Sequence, residues 1–183
     1  MVAIYQTAYP RLKQTFTQKD LDEIYTPTAA ELRFALRHCK RGSTSFLGLL
    51  VQLKIVQRLG RFVTFGDVPT PIIQHIKQLV RNRSSLADLS AYFSSGAKDR
   101  HVRLIRQHLK LRPYDTDSTN DKVLQWATSA AKTKEALADI INVALEYLVK
   151  EQFEIPPFSV LQRLCQSARS QVNNTYYDQL VGY

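Results

Sequence analysis

The sequence predicts an all-α fold of about eight to nine helices, set out as two tandem small bundles. Three observations predict it. Apolar residues recur at helical spacing almost throughout, and no convincing alternating strand appears. Capping residues open successive segments, and glycine or proline closes them. The chain has 183 residues, 44% hydrophobic and 22% charged, which is enough to bury a real core.

Taken in order, Thr17 can cap a short helix through Ile24 that stops before Pro27. Thr28 with Glu31 three residues on forms a capping box. The helix it opens reaches about Lys40, with Leu32, Ala35, Leu36 and Cys39 as its expected buried stripe. Gly42 and three hydroxyl residues break the chain. A long helix over residues 45–59 comes next. Phe46, Leu49, Leu50, Leu53 and Val56 face one way, with Leu47, Val51 and Ile55 beside them. So wide an apolar face marks a central, mostly enclosed helix, and Gly60 is its C-terminal stop. Pro69 and Pro71 start a helix to about Val80, and a shorter one spans 86–93. The turn Ser94-Ser95-Gly96 leads into a basic helix over 97–110, and residues 113–119 form a polar loop. Three more helices close the chain. The first carries Trp126. The second shows the stripe Leu137, Ile140, Ile141, Ala144, Leu145 and Leu148. The third comes after Pro156-Pro157 with Phe158, Leu161, Leu164, Cys165, Ala168 and Val172. A boundary near 81–85 divides the chain into expected units 1–82 and 83–183.

Charge narrows the function. The chain carries 25 Lys+Arg against 16 Asp+Glu, a net of +9. Residues 28–112 hold sixteen basic groups and four acidic ones, whereas residues 113–183 hold six and nine. A solvated surface mixes its signs, so this concentration points to a polyanion, either nucleic acid or an anionic membrane surface. No run of 18 or more apolar residues occurs, and the start lacks the basic and apolar regions of a signal peptide. Cys39 and Cys165 fit small buried hydrophobes in a reducing cytoplasm. His38, His75, His101 and His108 show no metal spacing with them, and His101 and His108 belong to the packed flank of their helix. No glycine-rich phosphate loop or Ser-His-Asp arrangement is visible. Asp115 and Asp117 suit turn capping. Tyr176, Tyr177 and Tyr183 lack the Arg and His partners of a tyrosine nucleophile. No catalytic centre, metal, cofactor, small-molecule substrate or membrane is therefore expected.

The basic helix carries the sharpest signal. Ala97, His101, Leu104, Ile105, His108 and Leu109 share one face, and Lys98 stands on another. Arg100, Arg103, Arg106 and Lys110 form a ribbon opposite the core. A short helix, a tight turn and a basic amphipathic helix make a helix-turn-helix pattern, whose second helix fits the major groove. Arginine forks match guanine O6 and N7, and residues near the helix N-terminus, Lys98 and Arg100, reach bases first. A second cluster is Arg33, Arg37, Lys40 and Arg41, with Ser43 and Thr44 after them as donors for phosphate or base edges. Either the Arg33 helix or the start of the helix after it would enter a groove. Lys54, Arg58, Arg61, Arg81 and Arg83 are phosphate contacts or plain surface.

The stretch Phe46-Leu47-Gly48-Leu49-Leu50-Val51-Gln52-Leu53, continuing through Gln57-Arg58-Leu59-Gly60-Arg61-Phe62, resembles the "LGFxxQLxxLxxxGRF" segment near the start of Tn-three family replicative transposases of bacteria. Asp67-Val68-Pro69 with Ile72, Ile73 and Ile76 fits the family's next segment. Tyr92, Arg100-His101, Ile105-Arg106, Leu109, Arg112 and Tyr114 resemble a second family signature. The segments around Trp126 and Ile155-Pro156-Pro157 also match, so the resemblance covers residues 15–175. One departure falls at Lys110-Leu111, where the family has glycine. The resemblance implies tandem helix-turn-helix units, likened to those of centromere protein B, that bind the terminal inverted repeats of a transposon as double-stranded DNA. Arg112 joins the implied contact set. Self-association would occur within the transposase complex. Cutting and joining would belong to a distant RNase H-like domain. The competing expectations are a stand-alone repressor or accessory factor, and a basic helical module that meets an acidic protein.

Overall fold

A computed structural model describes residues 2–181 of the chain, with side chains to residue 179. Among these residues the architecture is all-α, as the periodicity predicts. Helix α1 is Gln18–Asp20, continued by one π-helical turn over Leu21–Tyr25. Then come α2 (Ala29–His38), α3 (Thr44–Leu59), α4 (Thr70–Leu79), α5 (Leu86–Phe93), α6 (Gly96–Leu109), α7 (Thr119–Ala131), α8 (Leu137–Lys150) and α9 (Phe158–Val181). One isolated bridge, Arg112 to Phe153, is the only extended pairing among the described residues. The starts of α1, α2, α3 and α5 are set by side chains. Thr17, Thr28, Ser43 and Ser85 each accept the backbone amide three residues on, which satisfies an orphan donor of the first turn. Gly60 ends α3 at φ 67°, a left-handed turn that costs glycine nothing.

The chain folds as two compact units. One is Pro10–Leu111; the other joins the described parts of Met1–Tyr9 and Arg112–Tyr183. The first is built on α3, where twelve of sixteen residues are buried. Helices α2, α4, α5 and α6 all pack against it. The division therefore falls elsewhere than at 82/83. Leu89 and Tyr92 of α5 and Ile105 of α6 are buried in the same core as Leu49, Leu50 and Leu53 of α3, which holds those helices to the first unit. The first residues of the chain are drawn into the second unit by Tyr9, only 4% exposed, whose hydroxyl donates to the Pro156 carbonyl at 2.7 Å.

Two local expectations are corrected. On α2 the inward residues are Phe34 and Ala35, while Leu36 is 45% exposed; the helix is rotated so that its phenyl ring fills the core. Lys54 is not on the surface. It lies buried on α3 with its Nζ 3.3 Å from both carboxylate oxygens of Glu31, and Gln57 Nε2 donates to the same carboxylate at 2.7 Å. Burial pushes the Glu31 carboxyl up. The Thr28 amide, Gln57 and Lys54 together outweigh it and hold the group below the ordinary range. Glu31 thus serves both as the capping-box acid of α2 and as partner to a buried lysine.

The second unit packs α7, α8 and α9 together. Its core includes Val123 and Ala127, the whole expected α8 stripe, and Leu161, Cys165 and Ala168 of α9. Cys39 and Cys165 are free thiols, and burial raises both, Cys165 to about 12. No helix among the described residues is long and apolar enough to cross a membrane.

Candidate nucleic-acid interface

A buried polar relay fixes the basic helix to the core. Gln52 Nε2 on α3 donates to the Tyr92 hydroxyl at 2.6 Å, and that hydroxyl lies 2.7 Å from His101 Nδ1. His101 Nε2 in turn lies 3.4 Å from the Cys39 sulfur. Because Tyr92 accepts from Gln52, its own proton goes to Nδ1, which leaves Nε2–H to face the thiol. Burial, with the electrostatic influence of Arg100 and His38, holds the imidazole below its usual pKa, which favours the neutral ring. The relay spans α3, α5, α6 and the end of α2. Space for it depends on Gly48: a Cβ there would come within 2.6 Å of the Tyr92 ring.

With α6 so held, its outward residues are set. Arg100, Arg103 and Lys110 are exposed. Lys98 is half-buried with its ammonium 3.6 Å from Asp99. Arg106 is also half-buried and leaves the expected ribbon, its guanidinium 5.4 Å from the centre of the Phe62 ring. His108, expected on the packed flank, is exposed but stacks on Phe34 at 4.1 Å. Lys110 caps α6 at φ 54°, the left-handed conformation that glycine most often takes at a helix end.

The second predicted cluster lies beside the first. A cleft of about 320 Å³ is lined by Lys40 and Ser43 from the α2–α3 turn, by Ser45 from the start of α3 and by Ala97, Arg100 and Leu104 from α6, with His38, Cys39 and His101. Arg33, Arg37, Lys40 and Arg41 are exposed. Ser43 serves as the α3 cap, its Oγ accepting the Phe46 amide at 3.1 Å, and Thr44 Oγ1 pairs with Ser84 Oγ at 2.9 Å. Among the described residues no carboxylate lies within ion-pair range of Arg33, Arg37, Lys40, Arg41, Arg100 or Arg103.

The acids of this unit are engaged elsewhere. Lys13 and Thr17 hold the Asp20 carboxyl down to about 2. Asp88 is lowered by the Ser85 amide and hydroxyl, and Asp67 accepts from Thr64. Glu31 is buried with Lys54. Eighteen basic and seven acidic residues give Pro10–Leu111 a net of +11, and among the described residues Arg33 and Arg37 of α2 and Arg100 and Arg103 of α6 have no carboxylate in ion-pair range.

Arg112 belongs to the second unit. Its guanidinium lies 4.0 Å from the Phe153 ring centre and 4.0 Å from Glu151, and its backbone pairs with Gln152 and Glu154. Asp115 caps a turn by accepting the Ser118 amide at 3.0 Å. Tyr176 and Tyr177 are exposed on α9; Tyr183 lies outside the described residues. Neither the relay nor the Glu31–Lys54 pair emerged from sequence reasoning. Gly48, Gln52, Tyr92 and His101 all stood within the two family-like segments, and that was the available signal.

A transposase for transposon Tn501 from Pseudomonas aeruginosa is 27% identical to this chain over 170 residues, or 90% of it. The chain spans 16% of that relative's length. A family model described as Domain of unknown function (DUF4158) matches residues 3–168. That match runs through both compact units and the relay that joins α3, α5 and α6, and the chain belongs to the DUF4158 family.

Proposed function

We propose that this chain binds duplex DNA at the terminal inverted repeats of a transposon, as the non-catalytic part of a longer transposase of the Tn-three kind. The observation that carries the reading is the convergence of Lys40, Ser43 and Arg100 on one cleft, flanked by arginines with no carboxylate partner. Similarity to a transposase over most of the chain supports a role in transposition. In this reading α5 and α6 act as a helix-turn-helix with α6 in the major groove. Lys98, Arg100 and Arg103 contact bases; Arg33, Arg37, Lys40, Arg41 and Lys110 contact phosphates. Arg106, over Phe62, supports the helix from its flank. Cutting and joining belong to other parts of the transposase.

The test is binding of the 183-residue chain to terminal-repeat duplex and to scrambled duplex across a salt series. Specific recognition requires tighter binding to the repeat at every salt concentration, with affinity falling steeply as salt rises. Arg100→Ala and Arg103→Ala should each reduce the preference by about 1–3 kcal/mol. Equal affinity for both duplexes sinks specific recognition. No binding to either favours a module that meets an acidic protein.

A further inference from the structure

We infer that the α4–α5 linker is a third segment of this interface: Arg81 and Arg83 bind the phosphodiester backbone, and Asn82 positions them with the α2–α3 turn. The inference rests on the proposed duplex binding. Asn82 is only 6% exposed, and both its side-chain polar atoms are used. Its Nδ2 donates to the carbonyls of Gly42 at 3.1 Å and Ser43 at 3.0 Å, and its Oδ1 accepts the Ser84 amide at 2.8 Å. The Thr44–Ser84 hydroxyl pair adds a further link. Lys40 and Arg41 thus stand on a turn whose carbonyls are fastened to the residue between Arg81 and Arg83. The linker and the turn are one surface.

The backbone points the same way. At the end of α4 the Asn82 amide bonds back to the Lys77 carbonyl, and the Arg81 amide to that of Gln78. This is a Schellman stop, which puts Arg81 at φ 51°. Glycine is the usual occupant, because any Cβ there crowds the following carbonyl. The end of α6 repeats the arrangement with Lys110. The end of α8 also repeats it, with the uncharged Gln152, in the unit where acids outnumber bases. In the basic unit α3 ends on glycine, Gly60, whereas the left-handed stops of α4 and α6 hold an exposed cation instead of the residue that suits the turn. Strain kept at an exposed charge is a mark of function. Neither Arg81 nor Arg83 has a carboxylate within ion-pair range among the described residues.

Arg81→Gly separates a structural role from a binding role, since it relieves the turn and removes the charge together. Melting temperature and the salt dependence of binding to labelled terminal-repeat duplex are measured on the same 183-residue chain. The expected result is a higher Tm with weaker binding. The log–log salt slope should shrink by about 0.9, so that a fourfold rise in salt costs the variant about 3.5-fold less affinity than wild type. Arg83→Ala should shrink the slope equally with Tm unchanged. In an Asn82→Ala background that still melts cooperatively, Arg83→Ala should alter the slope no further. If wild type binds steeply and both arginine variants keep its slope and affinity, the linker is outside the interface and the inference falls alone. If wild type does not bind duplex, the functional reading falls with it.

Discussion

Replacing Gly48 by alanine is expected to destabilise the Pro10–Leu111 unit, opposite to the usual sign of that change inside a helix. Propensity alone favours alanine by about 1 kcal/mol at an interior position. Here the new Cβ would come within 2.6 Å of three atoms of the Tyr92 ring. The ring has little freedom to retreat. Its hydroxyl is tied to Gln52 and His101, Phe93 meets it edge-on at 5.5 Å, and Tyr92 itself is 5% exposed. Overpacking of this kind costs about 1–3 kcal/mol. A displaced hydroxyl adds about 1–3 kcal/mol for each buried partner left unsatisfied. Offset by the propensity gain, the net with one partner lost is about 1–5 kcal/mol, which lowers the Tm of a unit this size by roughly 5 °C or more.

Thermal and urea unfolding of Gly48→Ala, Tyr92→Ala and the double variant measure this directly. With the ring gone, Gly48→Ala should become neutral or stabilising, since only the propensity term remains. A coupling of several kcal/mol between positions 48 and 92 is expected, well beyond the roughly 0.5 kcal/mol seen for independent sites. A Gly48→Ala chain as stable as wild type would refute the packing of α5 on α3, and with it the placement of α6.

Acid should weaken the fold through His101. The ring is held neutral below its usual pKa, so the unfolded chain takes up its proton first; the associated stability is full above about pH 6.5 and is lost as pH falls through the lower folded value. Tm should therefore fall on acidification below that pH, and less so in His101→Gln. Lys54→Met should destabilise by about 3–5 kcal/mol in denaturant unfolding, because Glu31 is left buried without its cation. A loss under about 1 kcal/mol would show that Thr28 and Gln57 suffice for the carboxylate. Lys110→Gly should raise stability by about 0.5–1 kcal/mol, since glycine suits φ 54°, while a drop would mean that the lysine stem packs usefully there.

The elements were legible where a start or stop is local chemistry. Thr17, Thr28, Ser43 and Ser85 cap the helices, and Gly60 ends α3. Packing partners were less legible. The face of α2 depends on a choice between Leu36 and Phe34, which one helix's periodicity does not make. The unit boundary depends on α5 and α6 returning to α3 across the linker at 80–85, a long-range event with no local mark. Lys54 looked like surface because an isolated lysine reads as solvated, and its partner lies 23 residues away. The two basic clusters were each legible as stripes. Their meeting at one cleft was not, since the turn at 40–43 and the start of α6 are distant in the chain. Asn82 gave no signal at all, because a linker asparagine looks like any other turn residue.

The residues that carry the family-like segments are mostly interior. Gly48, Gln52, Leu53, Tyr92, His101 and Ile105 build the relay and the core, whereas Arg103, Lys40 and Arg41 face outward. In the proposed function these interior residues form the frame, and choice of DNA sequence resides in the outward side chains that the frame holds. Arg100 is the place to ask which kind of contact they make, because it borders both the relay and the cleft. Arg100→Lys keeps the charge but loses the planar fork that meets guanine O6 and N7 together. If Arg100 reads a base, the preference for terminal-repeat over scrambled duplex should fall by about 1–3 kcal/mol while the salt slope stays as in wild type. A variant that keeps both the preference and the slope would assign Arg100 to phosphate. Sequence reading would then pass to Lys98 and Arg103, or to the α2–α3 turn.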